Sequence, residues 1–115
     1  MKKVILLIAV YFLLVSCEKG YLVPEDELPE WLRTSIEKDE QIIKKNPKYM
    51  TSYGSWIRYK WHDEYYYEYF NLVSSTMPKP ISHIGDTLNF FVNDNNTAYY
   101  KEKCCKKYVW KGPNF

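Results

Sequence analysis

The chain has 115 residues, enough for one small domain with a single core and too few for two. Sixteen basic residues face 14 acidic ones without a long cationic run, so the chain lacks the field that binding to nucleic acid phosphates depends on. Aromatic residues make up 18% of the chain and include twelve tyrosines, which suits a half-buried sheet face or a contact surface.

The amino-terminal stretch is typical of a secretory signal peptide. Lys2 and Lys3 precede an uncharged apolar run over residues 4–15, which is shorter than the roughly 20 residues that a membrane-spanning helix needs. We therefore expect residues 1–16 to be removed. Because both lysines leave with this leader, the remaining side chains carry 14 bases and 14 acids.

The leader ends in the four residues Leu14, Val15, Ser16 and Cys17. This stretch resembles the lipobox of bacterial lipoproteins. The resemblance implies cleavage before Cys17, a diacylglycerol on its sulfur and an acylated amino terminus. It implies a lipid-anchored protein of the bacterial cell envelope, held at the outer membrane by the lipid on Cys17. The alternative is an ordinary secretory signal that happens to contain a cysteine.

The next residues predict a tether followed by one domain. Residues 17–28 are irregular and acidic, with Gly20 and Pro24 interrupting any regular element. We therefore interpret residues 17–28 as a lipidated tether and residues 29–115 as a single small domain.

An amphipathic helix is predicted from Pro29 to about Lys45. Pro29 suits a first helical turn, Lys44 and Lys45 suit the carboxyl end, and Pro47 follows Asn46 as a stop. The opposite face mixes both charges, which favours packing against a core over lying on a membrane. Apolar or small residues recur at three- and four-residue spacing: Leu28, Trp31, Leu32, Ser35, Ile36, Ile42 and Ile43.

A period of two and an aromatic composition then predict a β-hairpin. A three-residue loop over residues 62–64 would place Arg58 opposite Glu68. A two-residue loop would instead set Ile57 against Glu68 and bury a carboxylate without a partner. The sequence therefore favours the three-residue loop. The two predicted strands span residues 55–61 and 65–72.

The second half of the chain predicts further strands. Residues 73–86 form a long connection with two prolines and a glycine. Residues 87–92 and 97–103 are predicted as strands joined by a turn at residues 93–96. Residues 104–111 are predicted as a last strand or as a continuation of the preceding one. These elements predict an α+β fold, with one amphipathic helix packed on an antiparallel sheet of four to five strands.

Cys104 and Cys105 are neighbours in the predicted last strand. Neighbouring strand residues point to opposite faces, so a bond between them would strain the backbone. We expect Cys104 to face inward with Tyr108 and Trp110, and Cys105 to lie outside as a thiolate favoured by nearby lysines. The alternative is a disulfide between the two.

The sequence contains little that indicates catalysis. The side chains of His62, Asp63 and Glu64 diverge because they are consecutive, and His83 is the only other histidine. Four scattered glycines form no phosphate-binding loop. We therefore predict no catalytic residue, no metal and no cofactor, and a protein that is not an enzyme.

The aromatic hairpin predicts a binding role. Trp56, Arg58, Tyr66, Glu68 and Phe70 are predicted to share one sheet face, and aromatic residues around a charge pair are typical of interfaces. We therefore predict a non-enzymatic binding module that meets a protein or a glycan through this face or through the connection. The alternatives are a periplasmic inhibitor of a hydrolase, and a small hydrolase in which a histidine meets a carboxylate or a cysteine.

Overall fold

The computed structural model describes residues 20–90, 92 and 94–115, which form an α+β fold. In this part of the chain the helices and strands are α1 (Glu30–Lys45), β1 (Gly54–Trp61), β2 (Glu64–Asn71), β3 (Ile81–Ser82), α2 (Asn95–Glu102) and β4 (Cys104–Lys111). Short 3₁₀ turns occupy Glu25–Glu27 and Met50–Tyr53. The strands form one antiparallel sheet in the order β3-β2-β1-β4. The predicted fold class is confirmed.

The folded part begins before residue 29. Val23 and Leu28 are buried in the main core, and the Leu22 N–H donates to the Val109 carbonyl at 3.0 Å. The prediction of a tether is therefore wrong for this stretch, because its few apolar side chains find partners that the acidic composition does not reveal. The predicted leader and lipobox lie outside the described residues. Among the residues described, no helix is long and apolar enough to cross a membrane.

Helix α1 forms where the apolar spacing predicts it. Leu32 and Ile36 are fully buried, and both point to the sheet. Lys44 and Lys45 lie in the last turn, where positive charge favours the helix dipole. The helix thus covers one face of the sheet, which we call the α1 face. The main core consists of Val23, Leu28, Leu32, Ile36, Trp56, Tyr67, Val109 and Trp110.

The hairpin turn has two residues, so the predicted three-residue loop is wrong. His62 and Asp63 both have positive φ, 50° and 60°, which is the backbone of a type I′ turn. The register places Ile57 opposite Glu68, the pairing that we expected to be too costly. It is tolerated because Glu68 has partners in a later segment: the Tyr99 hydroxyl at 2.7 Å and the Lys103 ammonium at 2.9 Å.

The predicted second hairpin is replaced by helix α2. Thr87 makes only an isolated bridge to Ile81, and residues 95–102 are helical. Asp94 precedes the helix in a left-handed conformation, at φ 54°, and its side chain makes no capping hydrogen bond. The helix covers part of the other sheet face, where its Tyr99 packs with Trp61 and Tyr66 in a second cluster.

Strand β4 has the predicted bounds but an irregular register. Trp110 pairs with Trp56 while Tyr108 pairs with Ile57, which leaves Val109 as an extra residue. Tyr108 and Trp110 therefore lie on opposite faces, and the prediction that they share one is wrong. The bulge also explains why two consecutive residues, Val109 and Trp110, are both buried.

Cys104 and Cys105 form a disulfide with each other. The predicted inward and outward facing is wrong, because both residues are exposed. Cys105 has φ 65°, a left-handed conformation that interrupts the alternation of side chains along the strand. A second register irregularity, between Arg58 and Lys60 on the partner strand, lies at the same place.

We expect neither Cys104 nor Cys105 to react with a maleimide until a reducing agent is added. The intact mass, measured in a Cys17→Ala background, should lack two hydrogen atoms relative to the dithiol. Cys104→Ser is the control, because it should leave Cys105 free and reactive. Labelling of the unreduced parent protein would contradict the pairing.

Candidate functional site

A cleft of about 350 Å³ lies between the α1 face of the sheet and the segment that leads into β3. Two of its lining residues, Trp56 and Asn71, are buried, so the cleft reaches into the domain. We call it the loop cleft. It is lined by Trp56, Tyr69, Asn71, Ser74, Thr76, Met77, Pro78, Lys79 and Ile81.

The floor of the loop cleft is aromatic and held by cross-strand pairing. Trp56 and Tyr69 are opposite each other in β1 and β2, and their ring centroids are 5.4 Å apart. Trp31 of α1 packs edge-on against Trp56 at 5.9 Å. A Cβ at Gly54 would collide with the Tyr69 ring, so this position requires glycine. The sheet and α1 thus hold the floor before any ligand arrives.

Several polar groups of the loop cleft already form hydrogen bonds within the protein. The Asn71 amide donates to the Met50 carbonyl at 2.9 Å and to the Tyr69 hydroxyl at 3.1 Å, and its oxygen accepts the Val73 N–H at 3.0 Å. The Ser74 hydroxyl accepts a backbone N–H of its own turn. What the cleft presents is therefore mainly apolar and aromatic surface, with Thr76 and Lys79 as its further polar lining residues.

Asp39 of α1 lies close to this floor. Burial raises the pKa of the Asp39 carboxyl to about 6, and an interaction with Trp56 partly offsets the increase. The Trp56 indole N–H has no partner at full hydrogen-bond geometry, so this interaction is weak. The charged form of Asp39 therefore costs stability in the folded state.

We expect Asp39→Asn to stabilise the protein at pH 7 and to have little effect at pH 4. The folded-state pKa of Asp39, about 6, lies above its ordinary value of 3.8. The folded form therefore binds the proton more tightly, and the parent loses stability as the pH rises from about 4 to about 6. Urea unfolding at both pH values tests this. Glu37→Gln, an exposed neighbour, is the control, and an equal gain at both pH values would contradict the expectation.

A second cavity, of about 400 Å³, lies on the other side of β3. Its walls are mostly exposed side chains, including Asp63, Glu64 and Ile84. One wall is supported from within, since the Tyr67 hydroxyl and His83 Nδ1 are 3.0 Å apart. It is larger than the loop cleft, but it is a surface depression without a buried aromatic floor.

The five residues predicted to form one binding surface lie on two faces. Trp56 and Arg58 lie on the α1 face, and Tyr66, Glu68 and Phe70 lie on the opposite one. The predicted shared face is therefore wrong. All five except Phe70 are buried. Only Trp56 lines the loop cleft, where it meets the connection that the sequence also singled out.

The two histidines lie in different settings: His83 contacts the Tyr67 hydroxyl, as described above, and His62 lies beside Glu102. His62 Nε2 is 3.3 Å from a carboxylate oxygen of Glu102, and both side chains are more than half exposed. The Trp61 indole donates to the same carboxylate at 3.0 Å and lowers the pKa of Glu102. The pair lies at the hairpin turn, and His62 lines neither cavity described above. Among the described residues no group of three His, Cys, Asp or Glu side chains is arranged to hold a metal ion.

Neither cavity corresponds to a motif in the sequence. The loop cleft combines Tyr69 of a strand with Met77 and Pro78 of the connection, and only the path of the chain brings them together. The sequence features that pointed to the loop cleft were the aromatic strands and the length of the connection.

Comparisons with protein-family models, curated proteins and solved structures find no match. A proposal about function therefore rests on the geometry of the cleft.

Proposed function

We propose that the chain is a non-enzymatic binding module of the bacterial cell envelope that holds a protein partner through the loop cleft. The observation that carries the proposal is the rigid Trp56–Tyr69 floor beneath an apolar wall formed by Met77, Pro78 and Ile81. A volume of about 350 Å³ accommodates one or two large side chains. Aromatic pockets that receive an apolar anchor are typical of interface hot spots.

The hydrogen bonds that Asn71 already makes within the protein favour a protein over a glycan as the ligand of the cleft. A sugar needs hydrogen-bond donors and acceptors that are free, and the Asn71 amide is used on both its oxygen and its nitrogen. Around the cleft the chain instead exposes apolar side chains, among them Leu72, Val73 and Met77, of which Met77 is 68% exposed. Neighbouring exposed apolar residues of this kind mark surfaces that meet other proteins.

Two small probes distinguish these ligand classes. N-acetyltryptophanamide represents an apolar anchor of a protein, and N-acetylglucosamine represents a glycan. In a nuclear magnetic resonance titration we expect the amide to shift the Met77 methyl and Tyr69 ring signals while the sugar leaves them unchanged. A response to the sugar alone would contradict the proposal of a protein partner.

Two substitutions in the same segment provide a matched test. Met77→Glu is expected to abolish the response to N-acetyltryptophanamide, because the charge would lie in the apolar wall of the cleft. Ile84→Glu introduces the same charge at a position that is 82% exposed and lines the other cavity, and it should have little effect. Equal losses in the two variants would mean that the probe does not bind in the loop cleft.

The same proposal places the protein at a membrane through a lipid on Cys17. We expect metabolic labelling with a fatty acid to mark the parent protein and not Cys17→Ala. The variant should leave the membrane fraction, since stable attachment takes two or more acyl chains. Equal labelling of both proteins would contradict the lipid anchor while leaving the cleft proposal intact.

A further inference from the structure

The Lys103 side chain is enclosed by tyrosines on the sheet face opposite α1. Its ammonium nitrogen lies 3.8 Å from the ring centroid of Tyr59, 4.6 Å from that of Tyr100 and 4.9 Å from that of Tyr99. We call these three rings the tyrosine cage. Aromatic faces that surround a cation stabilise it through the ring quadrupole. The cage is therefore built to hold positive charge.

A buried carboxylate forms the base of the tyrosine cage. Glu68, whose side chain is 6% exposed, accepts from Lys103 at 2.9 Å and from the Tyr99 hydroxyl at 2.7 Å. Burial, together with Glu68, raises the pKa of Tyr99, so this hydroxyl keeps its proton and remains a donor. Three aromatic rings and one carboxylate are the chemistry that recognises quaternary ammonium groups.

The cation that fills the cage belongs to the chain itself. Lys103 is the single residue between α2 and β4, and its ammonium ends a flexible four-carbon stem. Tyr100 is 39% exposed, so the cage has one side open to solvent. Moving this side chain outward breaks its ion pair with Glu68, so the incoming ligand has to supply the positive charge.

We propose that the tyrosine cage is a binding site for a trimethylammonium group, and that Lys103 occupies it until such a ligand displaces it. A trimethylammonium group is weakly hydrated and loses little on entering an aromatic site, and its charge would replace that of Lys103 beside the buried Glu68 carboxylate. The site lies on the face opposite the loop cleft and does not depend on the function proposed for that cleft.

Choline titrations of Lys103 variants test the proposal. Lys103→Ala empties the cage and is expected to bind choline about tenfold more tightly than the parent. Lys103→Met removes the charge but leaves a side chain that fills the cage, so it should show no such gain. Adding Tyr59→Ala to Lys103→Ala should abolish the binding. Equal affinities of the alanine and methionine variants, or binding that does not depend on Tyr59, would overturn the proposal.

If a variant does not fold, the proposal is tested by titrating the parent protein with choline and recording its nuclear magnetic resonance signals. Choline should shift the ring signals of Tyr59 and Tyr100, while sodium chloride at equal ionic strength should not. Unchanged signals at the highest choline concentration would overturn the proposal.

The source of the trimethylammonium group is tested with vesicles. Sedimentation of Cys17→Ala with phosphatidylcholine and not with phosphatidylglycerol would indicate a lipid headgroup. Choline binding without sedimentation would indicate a free solute. Absence of both choline binding and sedimentation would overturn the site.

Discussion

Replacing Ile36 by aspartate is expected to unfold the domain, whereas Lys38→Asp should leave it folded. Ile36 is fully buried in the main core, and Lys38 is exposed on the same helix. The substitution removes an apolar side chain and leaves a carboxylate without a partner. The two losses together amount to on the order of 5 kcal/mol. This approaches the whole stability of a small domain, roughly 5 to 15 kcal/mol.

Thermal and urea unfolding of the parent and both variants provides the measurement. Lys38→Asp introduces the same residue two positions away, so it controls for the helix propensity and charge of aspartate. Ile36→Asp should show no cooperative transition, or one at much lower temperature. Similar midpoints for the two variants would mean that α1 does not pack on the sheet.

The parts that the sequence predicted are those set by local periodicity. Apolar spacing of three and four along α1 leads to one buried stripe, with Leu32 and Ile36 at its centre. Alternation along β1 and β2 identifies strands whatever their partners are. Each signal lies within the element itself, so the helix and both strands were found without knowledge of the rest of the fold.

The register of the hairpin could not be predicted in the same way. The choice of turn depended on whether Glu68 would be buried alone, and its partners Tyr99 and Lys103 lie 31 and 35 residues further along the chain. The helix that carries Tyr99 was itself predicted as a strand. With residues 97–103 predicted as a strand, Tyr99 and Lys103 could not be recognised as partners of Glu68, and the observed register was rejected as too costly.

The sites were difficult to predict for a related reason. The loop cleft exists because the connection crosses the sheet face beside Trp56 and Tyr69, and its path is not encoded by any periodicity. The tyrosine cage joins Tyr59 of β1 to residues of α2. Tyrosine content alone indicated only that some aromatic surface would exist.

Lys103→Met is expected to destabilise the protein by about 3 kcal/mol, since removing one partner leaves a buried charge uncompensated. The Lys103 side chain is 15% exposed and that of Glu68 6%, so water does little to screen the remaining carboxylate. The Tyr99 hydroxyl still donates to Glu68 but supplies no positive charge. Lys106→Met is the control, because Lys106 is exposed and should contribute about 0.5 kcal/mol or less.

The double variant Glu68→Gln with Lys103→Met decides whether charge or packing causes the loss. A neutral glutamine accepts the Tyr99 hydroxyl and needs no counter-charge, so the double variant should recover most of the stability lost in Lys103→Met. Urea unfolding of the parent, both single variants and the double variant gives the coupling free energy. Losses that simply add would mean that Glu68 and Lys103 do not act as a pair. The two-residue turn would then lack the interaction that, in our interpretation, makes its register stable.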